Sequence, residues 1–216
     1  MKIKSSEITG LRRIAQAFTL IEMIGVLAVI AILAALLIPK VFGAINDARI
    51  NSAVVGCQTV KTALVDHYGK FGRWDCTNGV VLSSFATLFS GYDTNVLMVE
   101  SLLEKPFLTK VGTNSVIQVR SCDAATAAVD STAAGYNLSG NAAGNNEATG
   151  QYVVEAVIYN VAEADAQAIS QRIDGQSLST SGVTPGTADL LGRVKYAAPT
   201  GGAGGVTTVY VYLAHR

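Results

Sequence analysis

The chain has 216 residues, which is enough for one domain with a hydrophobic core or for a small domain with an appendage. Its 16 basic and 16 acidic residues cancel, which argues against nucleic acid as the main partner because phosphate binding needs a basic excess. Only 15% of the residues are charged and the mean hydropathy is positive, an unusually apolar balance for a fully soluble protein.

The first 17 residues form a basic flank, in which a single acid faces four cations: Lys2, Lys4, Arg12 and Arg13. An apolar run follows from residue 18 to residue 38, and as a helix it would be about 31 Å long. This length matches the hydrocarbon core of a bilayer, which is roughly 30 Å thick. The positive flank predicts that residues 1–17 face the cytoplasm and that the chain after Lys40 lies outside it.

A secretory signal peptide is the alternative interpretation of this segment, with an apolar core at residues 23–37 and cleavage after Ala35. The basic flank is long for such a signal. The apolar face also continues past Lys40 with helical spacing. Both features favour a helix that stays attached to the chain.

Glu22 is an acid near the start of the apolar run. A charged side chain at the centre of a membrane helix costs about 2.5–3.5 kcal/mol, and less near its end. No Lys, Arg or His lies between Arg13 and Lys40, so no cation is available nearby in the sequence. A free amino terminus would supply one if the chain were cut just before Phe18.

The string AFTLIE at residues 17–22, followed by an apolar run, resembles the prepilin cleavage and methylation signature of type IV pilins and type II secretion pseudopilins. The resemblance implies that a prepilin peptidase cuts between Ala17 and Phe18 and then methylates Phe18. It also implies that Glu22 pairs with the terminal amine of a neighbouring copy in a helical filament. The family prefers Gly before the cut, and Ala17 departs from that pattern.

The same resemblance implies the partners and the location of the chain. The partners are copies of the chain, the prepilin peptidase and an inner-membrane assembly platform. The precursor would lie in the inner membrane with a cytoplasmic leader and a periplasmic or external head. It would then enter an extracellular pilus or a periplasmic pseudopilus. Pro39 falls where many members of the family carry a helix-kinking proline.

Residues 39–71 keep helical spacing and are predicted to form an amphipathic helix that continues into the head, residues 72–216. Pro39 removes one hydrogen bond and is expected to kink or locally melt this helix. Gly69 and Gly72 bracket its expected end. Its apolar face is predicted to pack on a sheet and contains Ile50, Ala53, Cys57, Val60, Leu64, Tyr68 and Phe71.

The three cysteines are Cys57, Cys76 and Cys122. Cys57 lies on the apolar helix face and is interpreted as a buried free thiol. A disulfide between Cys76 and Cys122 is the first choice, and the other two pairings stay open because spacing does not fix connectivity. No C-x-x-C occurs and the chain has two histidines, so no metal site is expected.

The downstream region predicts an α+β fold, with the long helix packed on a mostly antiparallel sheet. Strands are expected at residues 115–120, 152–161, 192–197 and 206–213, and a short helix at 162–173 closed by Gly175. Residues 82–89 and 97–103 are interpreted as short helices or irregular packing, and residues 123–150 as an exposed loop. Residues 159–175 resemble the inserted helix of type IVb pilins, although the cysteine common in that helix is absent.

No catalytic constellation or cofactor site is indicated. The glycine-rich residues 199–205 lack the Lys and Ser/Thr of a phosphate loop and are interpreted as a hairpin turn. Three acids of the short helix, Glu163, Asp165 and Asp174, are interpreted as a solvated face. The resulting hypothesis is a non-enzymatic pilin subunit; the alternatives are a type II secretion pseudopilin and a membrane-anchored binding domain that does not polymerise.

Overall fold

The structure is a computed structural model that describes residues 18–82, 88–122, 135–138, 151–176, 178 and 185–215. The chain divides into two compact units, residues 1–45 and residues 46–216. The first unit consists, as far as it is described, of the N-terminal part of one helix. The second unit contains the rest of that helix, a five-stranded sheet and a second helix.

Helix α1 spans Leu20–Phe71 and has 52 residues. Pro39 lies inside it, and the helix continues without a break on both sides. The local melting that was one of the two effects expected at Pro39 is absent, and the kink stays a prediction. A proline removes one backbone hydrogen bond, and the helix tolerates that single loss.

The C-terminal part of α1 buries the apolar face that the spacing predicts. Ile50, Ala53, Cys57, Val60 and Leu64 are all buried. The helix ends before Gly72, whose φ of 67° suits glycine and whose N–H donates to the Tyr68 carbonyl at 2.8 Å. A residue without a Cβ at this position stops the helix, as the sequence predicts.

The strands of the main sheet are β3 (Leu88–Ser90), β4 (Asn114–Cys122), β5 (Gln151–Ala162), β6 (Val194–Tyr196) and β7 (Val206–His215). The sheet is antiparallel throughout, with strand order β3-β4-β5-β7-β6. Helix α2 (Glu163–Asp174) follows β5 and ends at Gly175, which has a φ of 76°. The α+β architecture with a long helix on an antiparallel sheet is confirmed.

The register of β4 against β5 decides which side chains face α1. Ile117 pairs with Ala156 and both lie in the core that includes the α1 side chains. Gln118 pairs with Glu155, one position further along each strand. Because successive side chains point to opposite faces, these polar residues lie on the face of the sheet away from α1.

Parts of the head differ from the sequence-based expectations or had no expectation. Residues 76–81 form a hairpin of β1 (Cys76–Thr77) and β2 (Val80–Val81), which the sequence reading missed. Its two-residue turn is Asn78-Gly79 with φ values of 49° and 79°, the geometry that favours Asn-Gly. Residues 88–90 form a strand, whereas the sequence predicts a short helix or irregular packing at residues 82–89. Residues 93–97 form a π-helical turn.

A further correction concerns the loop expected at residues 123–150. Most of it lies outside the described residues. Within it, Tyr136 and Asn137 are buried rather than exposed, and Asn137 forms an isolated bridge with Leu191. Tyr136 packs with Val153 on the face of the sheet away from α1, because an aromatic ring there covers apolar surface that would otherwise meet water.

Candidate functional site

The residues predicted to drive processing and assembly lie at the start of α1. Ala17 falls outside the described residues. Phe18 is 81% exposed, and Glu22 lies in the first turn of the helix. The structure therefore describes two of the three residues on which the cleavage and assembly predictions depend.

The carboxylate of Glu22 has a partner within its own chain. Oε2 accepts a hydrogen bond from the Thr19 N–H at 2.8 Å and another from the Thr19 hydroxyl at 2.7 Å. In return, the Glu22 N–H donates to Thr19 Oγ1 at 3.3 Å. This reciprocal arrangement is a capping box, in which Thr and Glu three residues apart satisfy backbone N–H groups that the first helical turn leaves without partners.

The sequence reading missed this cap, although the signal was present. Thr19 followed by Glu22, directly before an apolar run, is the T-x-x-E pattern of a helix start. Cations are not the only groups that stabilise a carboxylate. Backbone N–H groups do so too, and the positive end of the helix dipole favours an acid at this end.

The surface of α1 after this cap is apolar on all sides. Every residue from 18 to 45 is exposed, and none of the apolar window is buried. Over the described part of the chain, α1 is the one helix long and apolar enough to cross a membrane. A soluble helix carries an apolar stripe on one side, whereas apolar residues all round suit lipid or a bundle of helices.

The comparison with family models addresses this segment. Residues 12–38 match the model described as the prokaryotic N-terminal methylation motif. The chain carries a prepilin-type methylation signature. Searches of curated proteins and of solved structures found no match. The signature covers the last six residues of the basic flank, the Ala17–Phe18 bond and the apolar run, and it confirms the resemblance to type IV pilins and pseudopilins.

The prepilin-type signature supports three general statements. The family of proteins that carries this motif is structural rather than catalytic. The motif implies processing by a prepilin peptidase and assembly into multimeric filaments. Together with the apolar helix, it fits a membrane-anchored precursor. The match supports the pilin and pseudopilin class and does not distinguish between its two branches.

In the head, a buried histidine ties the end of α1 to the segments that follow. His67 Nδ1 lies 2.6 Å from Glu100 Oε2, and Nε2 lies 3.0 Å from the Arg73 carbonyl oxygen. Glu100 Oε1 also accepts the Asn78 N–H at 2.7 Å. A doubly protonated ring would donate to both of its partners, whereas a neutral ring donates from one nitrogen only. The cluster therefore connects the end of α1 to the segments that contain Arg73, Asn78 and Glu100.

The cysteines have different surroundings. Cys57 is buried on α1 and is a free thiol, as predicted. Cys76 is also buried and unbridged in this structure, with Sγ 3.9 Å from His67 Nε2. The side chain of Cys122 lies outside the described residues, so the Cys76–Cys122 bridge stays a prediction. Among the described residues, no three His, Cys, Asp or Glu side chains form a group that could hold a metal ion.

The sequence predicts that Glu163 lies on a solvated helix face, and this prediction is wrong. Glu163 is 5% exposed. Its Oε1 accepts the Gly186 N–H and its Oε2 accepts the Gly204 N–H, both at 2.6 Å. These two backbone donors lower the pKa of the Glu163 carboxyl. Through these two hydrogen bonds, the side chain connects two loops to the start of α2.

Asp174 is likewise buried, with a side chain that is 1% exposed. It accepts the N–H groups of Arg193 and Val194 at 2.9 and 2.8 Å and thereby joins the end of α2 to β6. Asp165 is half-buried and accepts a hydrogen bond from Asn46 at 2.7 Å. All three acids hold the head together, and periodicity alone does not reveal the loop amides that they bind.

Proposed function

We propose that this chain is a structural subunit of a type IV pilus-like extracellular filament. Residues 1–17 are the leader, residues 18–38 the membrane and assembly helix, residues 39–71 its amphipathic continuation, and residues 72–216 the head. The prepilin peptidase cuts between Ala17 and Phe18 and methylates Phe18. The single observation that carries the proposal is the match to the methylation motif over residues 12–38.

The exposed surface of α1 supports the same proposal. Large apolar side chains such as Leu27, Ile32 and Leu36 are 61%, 63% and 68% exposed. Lipid would cover them in the precursor, and the helices of other subunits would cover them in a filament. Gly25 has nothing within 4 Å of an added Cβ, and small residues on such a helix allow close approach of another helix.

Mass spectrometry of the mature N-terminus tests the cleavage. We expect a chain that begins at Phe18 with a methyl group on its nitrogen. A mature chain that begins at Met1, or at a residue after Ala35, would contradict the proposal. Ala17→Gly restores the family's preferred residue before the cut, and we expect it to raise the processed fraction rather than to lower it.

The role of Glu22 in assembly needs two variants, because its carboxylate also caps the helix. Glu22→Gln keeps a cap acceptor at this position but removes the charge that would meet a neighbouring amine. Thr19→Ala weakens the cap and leaves the charge in place. We expect Glu22→Gln to abolish filaments while Thr19→Ala retains them. Normal filaments from Glu22→Gln would refute the proposed ion pair, and membrane fractionation checks that both variants insert.

A pseudopilin of a type II secretion system is the alternative within the same class. Electron microscopy with an antibody against the head distinguishes the two. Long filaments outside the cell support the pilus. Signal confined to the periplasm, with loss of protein secretion in a deletion strain, supports the pseudopilus and contradicts the pilus.

A further inference from the structure

A small cavity lies in the head where α1, the end of α2 and strand β7 meet. Its volume is about 90 Å³, which is room for a group of a few heavy atoms. Apolar side chains form part of its wall, among them Val54, Val211 and Leu213. Cys57 also lines it and is itself 4% exposed. This apolar wall favours a ligand with a short hydrocarbon part.

Three cations line the same cavity, and two of them are already paired. Arg172 Nη2 donates to Asp47 Oδ1 at 2.8 Å. Arg193 donates through Nε to Asp174 Oδ1 at 3.1 Å and through Nη2 to a backbone carbonyl. Each arginine is therefore paired with one aspartate, which offsets its charge beside the cavity.

The third cation is Lys61, and it has no ion pair or hydrogen bond within the described part of the chain. The sequence explains this, because positions three and four residues away on the helix are Cys57, Gln58, Leu64 and Val65, none of them an acid. Gln58 also lines the cavity and brings an amide donor. The cavity thus has one uncompensated positive charge beside an apolar wall.

We propose that this cavity binds a small carboxylate, with its charge held by Lys61 and its hydrocarbon part against the apolar wall. A single net positive charge matches a monoanion better than it matches a phosphate dianion. The carboxylate is either a free short-chain acid or a carboxyl group on another polypeptide. Both sources have the same chemistry and differ in what is attached to the group.

Calorimetric titration of the full chain in a zwitterionic detergent tests the proposal. Sodium propionate is the first probe, and propionamide, which has nearly the same shape without the charge, is its control. A blocked peptide whose only carboxylate is one glutamate side chain is the second probe. We expect saturable binding of propionate, of the peptide or of both, weakened at high salt because an exposed ion pair is screened.

Two variants locate the site. Lys61→Met keeps the length of the side chain and removes the charge, and we expect at least about tenfold weaker binding, as for the loss of a charge-assisted contact. Lys70→Met is the matched control, because Lys70 is exposed on the same helix and does not line the cavity. Binding by the peptide alone would assign the polypeptide source, and binding by propionate alone the free acid.

Three results would overturn the proposal. The first is failure of both anionic probes to bind. The second is equal binding of propionate and propionamide, because the charge would then be irrelevant. The third is equal loss of affinity in Lys61→Met and Lys70→Met. The fluorescence of Trp74, which is buried in the head, shows in each sample that the head is folded.

Discussion

The buried carboxylate of Glu155 is expected to be among the largest polar contributions to the stability of the head. It is 1% exposed, on the face of the sheet away from α1. Oε1 accepts Gln118 Nε2 at 2.7 Å and Arg120 Nε at 2.9 Å, and Oε2 accepts the Tyr136 hydroxyl at 2.5 Å. Removing one partner of a buried ion pair costs about 3–5 kcal/mol. Since a domain is stable by about 5–15 kcal/mol, Glu155→Gln should remove a large fraction of that free energy.

The assay is urea unfolding of the full chain in detergent, monitored by tryptophan fluorescence. Trp74 is the only tryptophan of the chain and is 5% exposed, inside the main core, so its emission reports the head. We expect Glu155→Gln to lower the free energy of unfolding by about 3 kcal/mol or more. Tyr136→Phe removes one hydrogen bond to the carboxylate and should cost about 1.5–3 kcal/mol.

The double variant Tyr136→Phe with Glu155→Gln tests whether the two residues act together. Residues in one hydrogen-bonded network show non-additive losses. We therefore expect the double variant to be less destabilised than the sum of the single variants. A Glu155→Gln variant within about 1 kcal/mol of the unmodified chain, well below the cost of a broken buried pair, would refute the reasoning.

Three further predictions concern other parts of the head. Gly112→Ala should destabilise the head more than Gly72→Ala does. Both glycines have a positive φ. An added Cβ at Gly112 would lie 2.3 Å from the Tyr159 carbonyl oxygen, whereas an added Cβ at Gly72 would have nothing within 4 Å. The backbone strain alone costs about 1–2 kcal/mol, and equal losses in urea unfolding would contradict the clash. Glu163 has a lowered pKa, so its contribution is present above the ordinary carboxyl pKa and is lost as pH falls through the folded value; Glu163→Gln should flatten the acid side of the stability curve, and an unchanged curve would count against this. Burial raises the pKa of Cys57 to about 12, which leaves little thiolate at neutral pH, so iodoacetamide should modify it much more slowly in the native than in the unfolded protein. Equal labelling rates in peptide mapping of the native and unfolded protein would contradict this.

Regular patterns made the main elements predictable. The spacing of Ile50, Cys57 and Leu64 identified the buried face of α1 because a helix repeats every 3.6 residues. The nearly continuous apolar run at residues 152–161 indicated a central strand, and β5 is the third of five. Gly72 and Gly175 marked two helix ends, because a helix commonly stops at a residue with positive φ. These are local rules that do not depend on distant partners.

Polar residues were harder to place because their partners are distant in sequence. Glu155 binds residues 35 and 37 positions away on β4, and Glu163 binds amides 23 and 41 positions away. Nothing in the periodicity of α2 indicates those amides. In the sequence, an acid that binds loop amides therefore has the same pattern as an acid on a solvated helix face. The Asn78-Gly79 hairpin is different, since its turn signal was present in the sequence and was missed.

The cap formed by Glu22 is compatible with the ion pair that we propose between Glu22 and a neighbouring subunit. A carboxylate has two oxygens with about four acceptor positions between them, and the cap uses Oε2 for both bonds from Thr19. Oε1 makes no hydrogen bond within the described residues, so it is available for the amine of a neighbouring subunit under the proposed function. The cap also fixes the side-chain conformation before any neighbour arrives, which lowers the entropy cost of forming the ion pair. On this reasoning the cap contributes to assembly by positioning the charge, and Thr19→Ala should slow filament growth without abolishing it.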